Sequence, residues 1–486
     1  MLLFSEELQV NAALTLLETF VLLWTAAFPQ YSFTQLFLRA FGVNLAIQIF
    51  WDMVIYPHLV NPLRHLPRVK SISSSTPPRP NPLEWIRTIP NDGLIHFRDT
   101  FNRSYLLATS HQALLDIMST NTYDFEKPWR VREFLARIIG FGLILSEGTA
   151  HRVQRKALTP AFHIKNIRSL YTLMWDKTTI LLDQLEKEIK LNPVDGMNAA
   201  SASGKVEMSV WASRLTLDVI GPAAMGRDFQ SLTHAENKVA DSFLAILEPT
   251  KEKLIFLGIN FLLPQWFARR IPWRLNKHET TASALTWACY LLCLHPDIQT
   301  RLRQEIHTVI PSANHPITWN DLESMPLLNG VCQEVLRLYP TVPATIREAV
   351  RDSYVAGKKI PRGTRIILCP YAINRSPDFW GETGEEFRPE RWIDTDEKGH
   401  QVVNHHGGAP TNFAQITFLH GQRSCIGKDF ARAELRCAVA GVVGRFAMEL
   451  QDPNQKVHIS GAVTTKPREG MHLKLTKVEG CIAMLS

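Results

Sequence analysis

The sequence predicts a mainly α-helical chain with small β-sheets, an α+β fold, behind an N-terminal apolar element. Three observations carry this. Helical patterns recur from Arg132 to Ala447, the β signals are short and scattered, and two apolar runs precede them all. At 486 residues and 45% hydrophobic, the chain is long enough for a sizeable core, and no internal repeat divides it.

Residues 8–28 are apolar apart from Gln9, Asn11 and Glu18, and residues 36–56 form a second run interrupted by Arg39 and Asp52. Neither reaches an unbroken stretch of about 20 apolar residues. Residues 1–60 are therefore expected to hold one or two membrane helices, the alternative being two amphipathic helices lying in the interface. Glu6 and Glu7 stand where a cleaved signal would be basic, so the element is expected to be retained. Residues 61–80, with Pro62, Pro67, Pro77, Pro78 and Pro80, read as a stiff hinge. Arg64, Arg68 and Lys70 beside the apolar run place the body on the cytosolic side.

From 81 to 486 one domain is expected. Helices are predicted over 132–139, 167–191, 237–257, 296–310, 331–338 and 429–447, and strands over 93–99, 365–369 and within 457–475. Lys466-Pro467-Arg468-Glu469-Gly470 reads as the turn of the last hairpin. Lys and Arg number 53 against 46 Asp and Glu, a net charge of +7 that suits an anionic membrane face or an acidic protein partner. No run is basic enough for nucleic acid. Seven cysteines without a C-x-x-C pair argue against a disulfide framework and for a reducing compartment. Cys289 and Cys293, four apart on an apolar helix, read as core. The sequons at Asn102 and Asn374 would go unused in a cytosolic body.

The most informative segment is Phe418-Leu419-His420-Gly421-Gln422-Arg423-Ser424-Cys425-Ile426-Gly427. A lone cysteine is usually a small buried hydrophobe. Here it lies in a glycine-bearing loop just before a helical pattern starting at Lys428, where backbone N–H groups and the helix N-terminus stabilise a thiolate. Gly421 and Gly427 permit close backbone approach, and Arg423 is placed to reach an anionic carboxylate.

This F-x-x-G-x-R-x-C-x-G string resembles the haem-binding signature of the cytochrome P450 monooxygenases; the anchor and proline hinge are similar to those of the family's microsomal members, and His278–Trp287 resembles filamentous-fungal members. The resemblance implies the cytochrome P450 fold, haem b as cofactor, Cys425 as axial ligand of the iron, Arg423 on a haem propionate and Phe418 beside the thiolate. Two upstream motifs are similar to the family's. Glu334-Val335-Leu336-Arg337 is E-x-x-R, its charges on one helix face, and Arg391 follows in Pro389-Glu390-Arg391-Trp392, 54 residues after Arg337. In the family these three form a buried structural triad. Arg347 matches a propionate-binding arginine. Arg155 fills the arginine of the family's W-x-x-x-R, with His151 in place of the tryptophan.

The family's oxygen-activating motif is matched only in its second half. Glu279 and Thr280 are the acid–alcohol pair that relays protons, but Asn276 and Lys277 stand where small residues are expected. Arg155 and Thr280 are 125 residues apart, fewer than in eukaryotic members. Pro272 can only begin a helix, and one ending at Leu294 would be roughly 34 Å long, shorter than the family's distal helix. The expectation is an internal segment missing around Asn276–His278.

The implied activity is insertion of one oxygen atom into a lipophilic small molecule, in secondary metabolism, at the endoplasmic-reticulum membrane. Electrons would come from NADPH through a separate cytochrome P450 reductase, with cytochrome b5 a further candidate donor. Lys428, Arg432 and Arg436 are candidates for reductase docking. The stretches 125–135, 243–262, 342–345 and 462–465 are candidates for the substrate pocket. Two other readings are a haem-binding pseudoenzyme inactivated by the missing segment and a haem-thiolate isomerase or dehydratase.

Overall fold

The computed structural model describes residues 6–24, 31–69, 81–99, 103–194, 203–234, 281–311, 316–455, 457–460 and 464–478. Glu279, Thr280, the join at 276–278, Asn102, the predicted helix at 237–257, Cys481 and most of the hinge lie outside these residues.

Among the described residues helices form the larger of two main cores, with Trp380, Trp392 and Ala414 making a small third cluster. Tyr171–Leu191 buries Tyr171, Met174, Thr178, Leu181, Leu182, Leu185 and Ile189, spaced three and four apart. It lies against Lys428–Arg445, where a Cβ on Gly441 would strike Thr178 and Leu182. The contact ends in ions: Arg445 Nη1 reaches Asp183 at 2.7 Å and Glu186 at 3.3 Å, and Lys477 Nζ reaches Glu186 at 2.9 Å. Thr281–Leu294 is apolar on all sides, and Ala282, Ala284, Leu285, Trp287, Ala288, Cys289, Leu291 and Leu292 are all buried. Such a helix has no solvent face, which places it at the centre. Pro326–Leu338 and Pro296–Val309 complete this core.

The smaller core backs a five-stranded sheet in the order Leu94–Arg98, Ser104–Ala108, Arg365–Leu368, Thr345–Ala349, Phe125–Glu126. Ser104–Ala108 and Arg365–Leu368 pair in parallel, and the other pairings are antiparallel. Burial alternates along Arg365–Leu368, as a half-buried strand requires.

Two expectations need correction. The helix predicted over 167–191 is two helices, Ile164–Ser169 and Tyr171–Leu191, separated at Leu170. The last hairpin does not turn at 466–470: Lys466–Pro467 is itself a strand paired with Ile459–Ser460. His472–Lys477 pairs instead with Phe446–Leu450 and Ser203–Glu207, which bury Leu473 and Leu475.

Candidate active site

The cysteine loop bridges the two cores, with Phe418 packed on the helical one and Leu419 on the sheet-backed one. Its shape is fixed by Cys425 N–H donating to the Phe418 carbonyl at 2.8 Å and Ser424 N–H to that of Gly421 at 3.1 Å. Gly421 has φ +68°, and any Cβ there would collide with the Met118 carbonyl. Gly427 differs from expectation. Its φ is −88° and an added Cβ would meet only Phe162 at 3.7 Å, so the protein itself does not demand glycine there.

Cys425 is exposed, and Cys289, Cys332, Cys369 and Cys437 are buried. Its thiol nevertheless sits in a recess, and burial raises its pKa. The Gly427 N–H and the cations of Arg155 and Lys428 pull the other way by favouring the thiolate. Arg155 does more than supply charge: Nη1 donates to the Ser424 carbonyl and Nη2 to the Ser424 hydroxyl at 3.3 Å, so it grips the residue beside the thiol.

Beside this loop lies a group of buried cations with few anions. Arg423 pairs with Glu147, yet its Nε and Nη2 are buried donors without an acceptor among the described residues. Arg347, on the strand Thr345–Ala349, is 4% exposed and, among the described residues, donates to Thr345 Oγ1 at 3.1 Å and the Ile346 carbonyl at 2.9 Å. Burial, with Arg423 nearby, lowers its pKa to about 10. Lys127 is pushed down to about 7 by burial and then by Arg347, against the pull of Glu147. His151 is buried with Nδ1 3.2 Å from the Tyr123 hydroxyl, and burial followed by Arg423 lowers its pKa. Glu147 faces Lys127, Arg347 and Arg423, and Glu126 lies near Arg423 but is 3.6 Å from Arg132, so cations still outnumber carboxylates and the site favours further anions. A thiol facing a recess whose rim is short of negative charge fits a ligand with a thiophilic metal and carboxylates.

Glu334, Arg337 and Arg391 are brought together. Arg337 holds Glu334 bidentately, at 2.8 and 2.6 Å, and both side chains are fully buried. Arg391 Nε reaches Glu334 Oε1 at 2.9 Å, and Trp392 Nε1 and the Arg388 N–H also donate to Glu334. The remaining Arg337 donors end on the carbonyls of Asn374, Gly384 and Glu386.

The basic stripe Lys428, Arg432, Arg436 is not a surface stripe. Arg436 turns inward to Asn329 Oδ1 at 2.6 Å and the Tyr171 hydroxyl at 3.2 Å, because its helix is packed on most sides. Arg432 lies over the Phe418 ring at 5.5 Å, and burial lowers its pKa to about 10.

The sequence model of the family described as Cytochrome P450 matches residues 101–272 and 277–474.

This chain belongs to the cytochrome P450 family.

The chain is 34% identical to the cytochrome P450 monooxygenase sphH of Aspergillus fumigatus, over 89% of its own length and 92% of the relative's. It is 31% identical to ptmK of Penicillium ochrochloron (88% and 96%) and 30% to buaD of Petromyces alliaceus (91% and 93%), both also cytochrome P450 monooxygenases. The family fold and its cofactor, haem b, follow from membership, as does an oxidoreductase chemistry that incorporates oxygen. The fit described above meets the cofactor's needs: a thiolate for iron, and cations for its two propionates.

The alignments also carry a length signal. With sphH, 89% of 486 residues fills about 433 of 510 aligned positions, leaving about 77 with no residue of this chain. The same reckoning gives about 72 for ptmK and about 80 for buaD. The family match itself breaks between 272 and 277, beside the segment where a join is expected.

Glu147 and Tyr123 were not foreseen as site residues, and Lys127 was foreseen only as part of the 125–135 pocket stretch. Glu147 directly precedes the Gly148–Leu158 helix that carries His151 and Arg155, which is the one local signal available for it.

Proposed function

We propose that this cytochrome P450 is a membrane-anchored haem-thiolate monooxygenase. It would insert one oxygen atom into a lipophilic small molecule of fungal secondary metabolism, drawing electrons from NADPH through a separate reductase. In this reading residues 1–60 anchor the chain, 61–80 form the hinge and 81–486 are the haem domain, facing the cytosol at the endoplasmic reticulum. The observation that carries it is the Cys425 thiol set beside Arg423, whose buried donors await acceptors. When bound, haem b supplies the iron at which dioxygen is activated.

The chain's own residues have separable tasks. Cys425 would ligate the iron as thiolate, and Arg155 favours that charge and fastens Ser424. Arg423, Arg347, Lys127 and His151 hold propionates. Phe418 shields the thiolate from water. Glu334, Arg337 and Arg391 lock the segment behind the loop. Glu279 and Thr280, matched to the family's acid–alcohol pair, would carry protons towards the bound cofactor. Cytochrome b5 is a second candidate donor.

The break at 272/277 and the unfilled alignment positions favour one other reading, a haem-binding pseudoenzyme lacking much of its distal wall. Membranes holding the full chain and a reductase, given NADPH, 18O2 and a fungal lipid extract, decide between them. The monooxygenase reading expects NADPH-dependent products that carry one 18O atom. Bound haem without such products supports the pseudoenzyme.

A further inference from the structure

Helices Glu6–Trp24 and Phe33–Phe50 lie antiparallel, and beside a Phe20–Phe33 ring contact and the buried Leu36 their contact carries a polar seam that ends at the exposed Glu18. Asn11 Nδ2 donates to Gln48 Oε1 at 2.9 Å, and Asn44 Nδ2 to Thr15 Oγ1 at 3.1 Å and Glu18 Oε2 at 2.6 Å. The Thr15 and Thr19 hydroxyls bond back to the carbonyls of Asn11 and Thr15. Asn11, Thr15 and Thr19 are all buried and four residues apart, so they form one inward stripe. The outside is the reverse, with Leu17, Phe20, Leu38 and Ile47 between 61% and 67% exposed.

A helical pair in water buries its apolar stripe and exposes its polar one. The opposite arrangement lowers the free energy only where hydrocarbon surrounds the pair and each polar group finds its partner inside. The lengths agree with that medium. The first helix has 19 residues, about 28 Å at 1.5 Å each, against a hydrocarbon core of about 30 Å. The second starts at Phe33 and continues through Trp51–Val60, 28 residues in all, with Tyr31 two residues ahead of its start and Trp51 about 27 Å along it from Phe33. Aromatic rings at that separation match the two interfaces. Arg39 folds its guanidinium over the Tyr31 ring at 3.9 Å, towards the turn. Residues 25–32 contain no Lys or Arg, whereas Arg64, Arg68 and Lys70 follow the second helix.

We propose that the two helices cross the bilayer together as a hairpin, with the polar seam inside and lipid acyl chains on the apolar faces. Both ends of the hairpin then lie on the side of the haem domain, and residues 25–32 reach the far side. A single span would put Met1 and the haem domain on opposite sides. The inference rests on the membrane anchoring proposed above and is independent of the haem chemistry.

The test uses the full chain expressed in sealed microsomes, with a spacer-flanked glycosylation acceptor placed either after Phe28 or ahead of Met1. The acceptor after Phe28 should gain a glycan removable by endoglycosidase, the one ahead of Met1 should gain none, and both chains should resist carbonate extraction. A glycan ahead of Met1, or none after Phe28, overturns the hairpin. Carbonate extraction assigns such a failure: a resistant chain is a single span, and a released chain is not membrane-embedded at all.

Discussion

Replacing Glu334 by glutamine removes a charge from a site that water does not reach. The carboxylate accepts five hydrogen bonds, three on Oε1 from Arg337, Arg391 and Arg388 and two on Oε2 from Arg337 and Trp392. An amide keeps one acceptor oxygen and turns its NH2 towards donors. With the nitrogen in the Oε2 position, Arg337 Nε and Trp392 Nε1 lose their acceptor, and two guanidinium groups lose their counter-charge. Breaking a buried ion network in this way costs about 3–5 kcal/mol, a large share of a domain's usual 5–15 kcal/mol. The urea midpoint should fall by about 1–1.7 M, taking a slope near 3 kcal/mol per M. Tryptophan fluorescence of the detergent-solubilised protein reads it. Arg301→Ala is the matched control: its pair with Glu390 is as short, 2.7 Å, but both side chains are nearly half exposed, so its loss should cost less than about 1 kcal/mol. Equal midpoints for Glu334→Gln and the parent protein would refute the reasoning.

Three further outcomes follow from the site. Gly421→Ala should abolish most of the thiolate-type carbon-monoxide band, because its Cβ meets the Met118 carbonyl; a full band would show that the loop relaxes freely. Lys127 has a folded pKa of about 7 against an ordinary 10.5, so between those values the unfolded chain binds the extra proton and stability rises with pH. Haem-free protein should therefore gain stability from pH 7 to 9, and Lys127→Met should flatten that slope in urea titrations. Arg155→Gln removes a cation that favours the thiolate, so alkylation of Cys425 in haem-free protein should need higher pH, and an unchanged profile would dismiss the role of Arg155.

The cysteine loop and the triad were legible in the sequence because each rests on short fixed spacings. Gly421 and Cys425 belong to one turn, and Glu334 and Arg337 to one helix face. Arg391 was legible only through the family's order of motifs. The anion-poor cluster was not legible as a cluster, because Lys127, Glu147, Arg347 and Arg423 come from four elements that meet only in the fold. The docking stripe failed for a related reason. Spacing of four gives a shared face, but whether that face meets water depends on neighbours such as Asn329 and Tyr171. Polar residues in the N-terminal runs looked like interruptions of single spans, and only the pairing of Asn11 with Gln48 and Thr15 with Asn44 shows them as a seam.

The central claim is that this chain assembles a haem-thiolate site on Cys425. The carbon-monoxide difference spectrum of the reduced full-length protein in membranes tests it most directly, with Cys425→Ser beside it. The account predicts a red-shifted, thiolate-type Soret band that Cys425→Ser abolishes. No band, or one typical of a neutral proximal ligand, would contradict it.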